Sequence, residues 1–344
     1  MKAPLSGIRI VEFEGIGPGP LAAMMLADMG AAVTVIARPT QGVVNARLGG
    51  SGESPLRRGK SVLLLDLKEP QARAQAMALL QEADALIEGN RPGVMERLGL
   101  GPTDCAAGNR RLIYGRMTGW GQSGPLAQAA GHDLNYVALS GLLSLSAHAG
   151  QKPIVPPTVV GDAAGALGLA FGMVCALLEA RQSGQGRVVD GAIVDVVAML
   201  GGIAQLIRAG GQLDCARPSP FHDSPFYDAY CCADGKYITL CALEPQFYAL
   251  ALTTLGLDDV DPARQYDTSA WPALKERMTA LFASRPRAHW CAQLEDTDIC
   301  FAPVLSMQEA AEHPHNAARG IFQPGEGTAW RVTAAPRFLP LGES

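Results

Sequence analysis

Up to Val194, short apolar runs alternate with longer stretches whose apolar positions recur at helical spacing. The runs predict strands at Ile8–Phe13, Ala32–Ile36, Ser61–Leu65, Ala85–Ile87, Arg111–Met117 and Val188–Val194. Helical spacing predicts helices at Leu21–Met29, Pro70–Ala83, Leu134–Leu145 and Ala163–Arg181. Pro70 falls in a first turn, where its missing N–H leaves no bond unmade. Strands separated by helix-length segments pair in parallel, because the crossover needs a helix to return the chain. The expected architecture is therefore α/β, a doubly wound parallel sheet with helices on both faces.

After Arg208 the pattern changes. Gly210-Gly211 and Arg217-Pro218-Ser219-Pro220 mark a linker over 210–225. Two alternating runs, Phe226–Cys232 and Lys236–Ala242, flank Asp234-Gly235, a strong hairpin signal because that pair tolerates the positive φ of a tight turn. Helices are predicted at Pro245–Leu255, Trp271–Ser284 and Pro286–Leu294. A large domain over 1–209 and a smaller α+β domain over 226–313 are thus expected. Residues 314–344, rich in Pro, Gly and Ala, are expected as an irregular strap returning across the large domain. No internal repeat or low-complexity tract interrupts this plan.

The 344 residues are 48% hydrophobic and 18% charged, enough to bury a substantial core in two domains. Net charge is 28 − 33 = −5 without long runs of one sign, which argues against nucleic-acid and anionic-membrane partners. Eight cysteines occur without a CxxC pair, and no secretory pattern precedes them, so a reducing, cytoplasmic setting is expected. No apolar run is long and uninterrupted enough to predict membrane insertion.

Several residues stand where chemistry is possible. The loop GIGPGP at 15–20 resembles a dinucleotide fingerprint but has Pro20 at the third glycine. The next strand leads to Arg38 rather than an acid, which suits a 2′-phosphate or another phosphate ligand. Arg57, Arg58, Lys60, Lys68, Arg91 and Arg97 also fall near strand ends or connections, where an open α/β sheet binds ligands. His132 precedes a predicted helix with Asp133 as its expected N-cap, and a helix N-terminus favours the neutral imidazole a general base needs. Asp162 opens the next helix, where an N-cap carboxylate is the simpler account and an acid facing a ligand the functional one. Glu244 directly precedes Pro245 and a third helix, where it acts as a helix-start acid or holds a proton beside a histidine.

The stretches GIGPGP at 15–20, RPGVMERLGLGP at 91–102, MTGWGQSGPLAQAAGHDLNY at 117–136 and ADGKYITLCALEPQFY at 233–248 decide between these alternatives. Together they make the chain, from Pro4 to Phe338, resemble the α-methylacyl-CoA racemases, a branch of the family III CoA-transferases. The resemblance implies that His132 and Asp162 are the two acid/base groups and that Glu244 partners the histidine. It implies coenzyme A contacts from Arg38, Leu65, Asp66, Leu67, Lys68, Gly89, Asn90, Arg91, Arg97, Gly131, His132, Asp133, Leu134, Asn135 and Tyr136. It further implies an interlocked homodimer with each site between one large domain and the partner's small domain, so that Glu244 acts in trans.

The implied reaction interconverts (R)- and (S)-2-methylacyl-CoA thioesters. One group removes the α-proton beside the thioester carbonyl, and the other returns a proton to the opposite face of the enolate. A positioned base supplies about 10²–10⁴-fold, and an oxyanion donor on the order of 2.7–4 kcal/mol. Backbone N–H groups at the Asp162 helix start are the expected donors, and no metal or redox cofactor is required. The alternative within the family is CoA transfer with Asp162 as the acyl-accepting nucleophile, against which the histidine of Gly131-His132-Asp133 speaks. Two departures touch the acyl group: Thr158 replaces the usual Asn, and the loop 221–225 replaces a Gly-Gly approach, placing His222 nearby.

Overall fold

The six apolar runs pair as one parallel sheet in the order β3-β2-β1-β4-β5-β6. The computed structural model of the chain describes residues 2–39, 54–157, 159–213, 216–325 and 330–342. Its strands are β1 (Arg9–Phe13), β2 (Ala32–Ala37), β3 (Lys60–Leu64), β4 (Ala85–Glu88), β5 (Ile113–Thr118) and β6 (Val188–Ala192). The chain runs outward from β1 through β2 to β3, then restarts at β4 beside β1 and runs the other way. That reversal opens a crevice at the carboxyl ends of β1 and β4, where ligands bind in sheets of this kind.

The chain divides into two compact units, Met1–Leu143 with Val155–Gly202 and Pro336–Ser344, and Ser144–Ile154 with Ile203–Ala335. Helices of the first unit are α1 (Pro18–Asp28), α2 (Pro70–Glu82), α3 (Val94–Arg97), α4 (Pro102–Gly108), α5 (Asp133–Leu139), α6 (Val160–Ser183) and α7 (Ile193–Leu200). Side chains alternate across the strands, so the sheet carries two cores. Ile10, Ala85, Ile87, Ile113 and Met117 pack with α1 and α6 on one face. Val11, Phe13, Leu86 and Tyr114 pack with α2 on the other.

The helix expected over 134–145 is shorter: α5 ends at Leu139 and a 3₁₀ turn follows at Leu142–Leu145. Against expectation, α6 is by length and composition able to cross a membrane. Close to half of its apolar window is buried, and it packs on α1, α5, α7, β5 and β6, so core packing accounts for its composition.

The second unit holds a three-stranded antiparallel sheet of β7 (Tyr227–Cys231), β8 (Tyr237–Cys241) and β9 (Phe301–Pro303), in that order. The predicted hairpin forms, with Gly235 at φ 74, and Phe301 joins it opposite Leu240. After α8 (Gly202–Ala209) the unit's helices include α9 (Pro245–Thr254), α10 (Trp271–Ala283) and α11 (Arg287–Leu294). Phe226, Tyr248, Trp271, Phe282 and Trp290 fill its core. The segment 314–335, expected as irregular strap, carries a helix at Pro314–Ala318 and a small hairpin, β10 (Phe322–Pro324) and β11 (Trp330–Val332), and belongs to this unit.

Candidate active site

A cleft of about 450 Å³ occupies the crevice at the carboxyl ends of β1, β4 and β5. The turn after β1 supplies Gly15, Ile16 and Pro18–Pro20, and the turn after β4 supplies Gly89–Pro92. The segment after β5 adds Trp120, Gly131, His132 and Tyr136, and Asp162 closes the ring. All of these residues belong to the first unit.

Two helix starts meet in this cleft. His132 is the N-cap of α5 with extended backbone (φ −133), and its own N–H donates to Asn135 Oδ1 at 3.0 Å. Asp133, expected as that cap, is instead the first helical residue and is buried at 3% exposure. Its Oδ2 accepts the backbone N–H of Asp162 at 2.8 Å, tying the start of α5 to the start of α6. A Cβ on Gly161 would stand 3.1 Å from both the Asp133 carbonyl and Oδ2, so glycine is what lets the two starts approach.

Asp162 is the third residue of α6, not its cap, so the bland account of it as an N-cap carboxylate fails. Two of the expected oxyanion donors are committed elsewhere: the Asp162 N–H donates to Asp133, and the Ala163 N–H donates to Val159 at 2.7 Å. The Asp162 carboxylate lies against Gly17. That residue has φ +69, and a Cβ there would come within 3.0 Å of Asp162 Oδ2. Burial raises the Asp162 carboxyl above the usual carboxylate range, the negative charge of Asp133 raises it further, and His132 opposes both. A half-buried acid near an imidazole is suited to handling protons.

The walls are held from beneath by buried charges. On the α1 face, Lys60 has a fully buried side chain, and its Nζ donates to Glu12 Oε2 at 2.6 Å and to the Pro20 carbonyl at 2.9 Å. Burial pushes the Glu12 carboxyl up and the Lys60 ammonium down, while their contact opposes both shifts. Lys60 is therefore not the phosphate-facing cation its position implied; it anchors the 15–20 turn. Of the other candidate cations, Arg57 pairs with Glu14 at 2.5 Å and Arg58 pairs with Asp28. On the opposite face, Glu88 ends β4 directly across from Arg116 on β5 and lines the cleft.

Of the expected coenzyme A contacts, Gly89, Asn90, Arg91, Gly131, His132 and Tyr136 come together around the cleft with Asp162. Arg38 follows β2, and Leu65, Asp66, Leu67 and Lys68 follow β3, farther along the same carboxyl edge of the sheet. Arg97, Asp133, Leu134 and Asn135 do not line the cleft, although Asp133 and Asn135 hold its helix start.

Glu244 stands exposed in the second unit as the N-cap of α9, near Tyr266 and Cys300. His222, also in that unit, packs 6.4 Å from the ring of His148, which pairs with Asp223 at 3.4 Å. Thr158 lies outside the described residues.

Glu88 and Trp120 also line the cleft and were not among the expected site residues. A visible signal existed for Glu88, an acid ending an apolar strand immediately before a glycine. Trp120 meets the Tyr136 ring edge-on at 4.7 Å and has a buried indole N–H without a hydrogen-bond partner among the described residues.

Residues 5–340 match the profile of CoA-transferase family III. The chain is 40% identical over 340 residues to the α-methylacyl-CoA racemase of Mus musculus, covering 98% of this chain and 86% of that protein. The human racemase is 39% identical with the same coverage. A crystal structure of a hypothetical protein from Mycobacterium tuberculosis superposes with a TM-score of 0.80 at 27% identity, covering 98% of this chain and 93% of that one. The strand order, the cleft at its reversal and this near-complete correspondence lead to one conclusion: the chain belongs to the family III CoA-transferases.

Proposed function

We propose that this chain is an α-methylacyl-CoA racemase, an isomerase that inverts the α-carbon of 2-methylacyl-CoA thioesters. The observation that carries it is the meeting of His132 and Asp162 in one cleft, with Asp162 held by Asp133 and turned toward Gly17. Full-length similarity to two racemases supports the substrate class. In one direction His132 takes the α-proton and Asp162 delivers one to the far face of the enolate; in the other they exchange roles. The raised Asp162 carboxyl favours its protonated form and so eases proton delivery. Both steps are proton transfers at carbon, so the reaction calls on no metal or redox cofactor.

The coenzyme A moiety lies along the carboxyl edge of the sheet, where Arg38, Lys68 and Arg91 offer cations to its phosphates. The working form is an interlocked homodimer in the cytoplasm, in which the partner's copy of Glu244 supports the histidine. Leu167, Phe171 and Leu178 on α6, with Met199 and Leu200 on α7, form exposed apolar surface of the kind a second copy would cover.

The test is α-deuterium incorporation from D₂O into a panel of 2-methylacyl-CoA thioesters. Exchange with inversion is expected, falling about 10²–10⁴-fold in His132→Ala and in Asp162→Ala. CoA passing to a second carboxylate without α-exchange would instead identify a transferase with Asp162 as nucleophile.

A further inference from the structure

The cleft contains a second buried acid that proton transfer at the α-carbon does not use. Glu88 is 3% exposed, ends β4 and lines the cleft beside Gly89–Pro92. Its Oε2 accepts the backbone N–H of Asn90 at 2.7 Å, which closes the turn back on the strand end. The Asn90 side chain in turn donates to Met95 Sδ at 3.3 Å, so the turn is seated on α3. Arg116 faces Glu88 across the β4–β5 pairing, with its Nε 3.8 Å from Oε1, too long for a hydrogen bond. That Nε is buried without an acceptor among the described residues. The rest of the guanidinium is committed to Glu96 on α3 and to Gln122 beyond β5. Arg116 thus attracts Glu88 without bonding it. Among the described residues, Asn90 is what engages the carboxylate's charge, first through its N–H and then through its side chain.

We propose that Glu88 is a positioning residue: its carboxylate sets the Gly89–Pro92 turn in the conformation that takes the coenzyme A portion of the substrate. The proposal rests on the acyl-CoA reading of the cleft and deepens it by dividing the cleft's acids between two tasks. Asp162 handles protons at the reacting carbon. Glu88 acts on the turn that carries Asn90 and Arg91, and through it on binding. Burial raises the Glu88 carboxyl to about 7, and the Asn90 N–H, Arg116 and the Asn90 side chain hold it from rising further. The charged and titratable groups facing it are Arg116 and Tyr114 on β5 and Glu96 on α3. A charged acceptor grips an N–H harder than a neutral one, so removing the charge loosens the turn even when the side chain keeps its shape.

The experiment is titration of free coenzyme A into wild type and Glu88→Gln by calorimetry, with steady-state α-proton exchange measured on the same preparations. Glu88→Gln is expected to weaken coenzyme A binding about tenfold and to raise KM in proportion, with kcat within threefold of wild type. Its unfolding midpoint at pH 7.5 is expected to be no lower than that of wild type. Glu88→Asp keeps the charge and shortens the reach by one methylene, and it too is expected to bind more weakly. If Glu88→Gln does not fold, the Asp variant carries the test. Unchanged coenzyme A affinity, or a fall in kcat at constant affinity, would overturn the assignment. Wild type that binds coenzyme A but exchanges no α-proton would sink the racemase reading while leaving the Glu88 result to stand. Wild type that binds no coenzyme A would overturn both.

Discussion

Glu12 and Glu88 end or nearly end two adjacent strands, and both are 3% exposed, yet the protein treats them oppositely. Glu12 lies opposite Ile87, so Glu88, one residue on, points to the other face of the sheet. On the α1 face Glu12 meets a lysine ammonium at 2.6 Å, and that ammonium also holds the Pro20 carbonyl. On the other face Glu88 meets a guanidinium at 3.8 Å whose hydrogen bonds go elsewhere. One wall of the cleft therefore rests on a closed ion pair, and the other on a carboxyl poised to change its charge near neutrality. The lesson is that burial does not assign an acid its role; the partner it finds does.

The sharpest break of this contrast is Lys60→Met. It strands the Glu12 charge in the core and should cost about 3–5 kcal/mol in urea unfolding. Glu12→Leu combined with Lys60→Met should recover most of that loss, because two apolar side chains need no pairing. A double variant as unstable as the single one would show that the Pro20 contact, not the charge, carries the stability.

Next in size is the pH response of Glu88. Its folded value is raised to about 7 from 4.5, so the folded chain holds the proton more tightly than the unfolded one. The stabilisation is complete below pH 4.5 and is lost as pH rises through 7, on the order of 3 kcal/mol in all. Unfolding free energies measured from pH 4.5 to 8 should fall for wild type relative to Glu88→Gln. Parallel curves would show that Glu88 is as settled as Glu12.

A third carboxylate tests whether bonding to a backbone N–H is itself enough to place a helix. Asp133→Ala removes the bond to the Asp162 N–H and should cost about 1.5–3 kcal/mol. The rate of α-proton exchange should drop with it, because α6 loses its tie to the His132 turn.

The smallest expected change is on the Glu12 wall. Gly17→Ala places a side chain at φ +69 and 3.0 Å from Asp162 Oδ2, at about 1–2 kcal/mol for the left-handed backbone alone. Exchange should slow with little change in coenzyme A affinity, the converse of the pattern expected for Glu88→Gln.

The chain's own pattern carried most of the architecture. Six apolar runs separated by helical stretches allow little besides a parallel sheet, and Asp234-Gly235 allows little besides a hairpin. The site was legible only in part, since Glu88, which also lines the cleft, was missed. His132 and Asp162 were visible as titratable groups at helix starts, the family resemblance made them a pair, and the cleft brings them together with Gly89, Asn90, Arg91 and Tyr136. Their bonding was not legible: Asp133 was expected as a cap, but its carboxylate reaches across to α6, 29 residues away. Lys60 looked like a phosphate cation because sequence spacing cannot show that its ammonium is enclosed by β1 and α1.

What the sequence determined by itself was the local part: where strands, helices and turns form, since these follow from periodicity and backbone preference within a few residues. What only the tertiary structure decided was the role of each charge. A carboxylate's role depends on how far burial removes water and on which donor arrives from a distant strand or helix. Those are set by packing across the sheet, and Glu12 and Glu88 show two outcomes from nearly the same place in the chain.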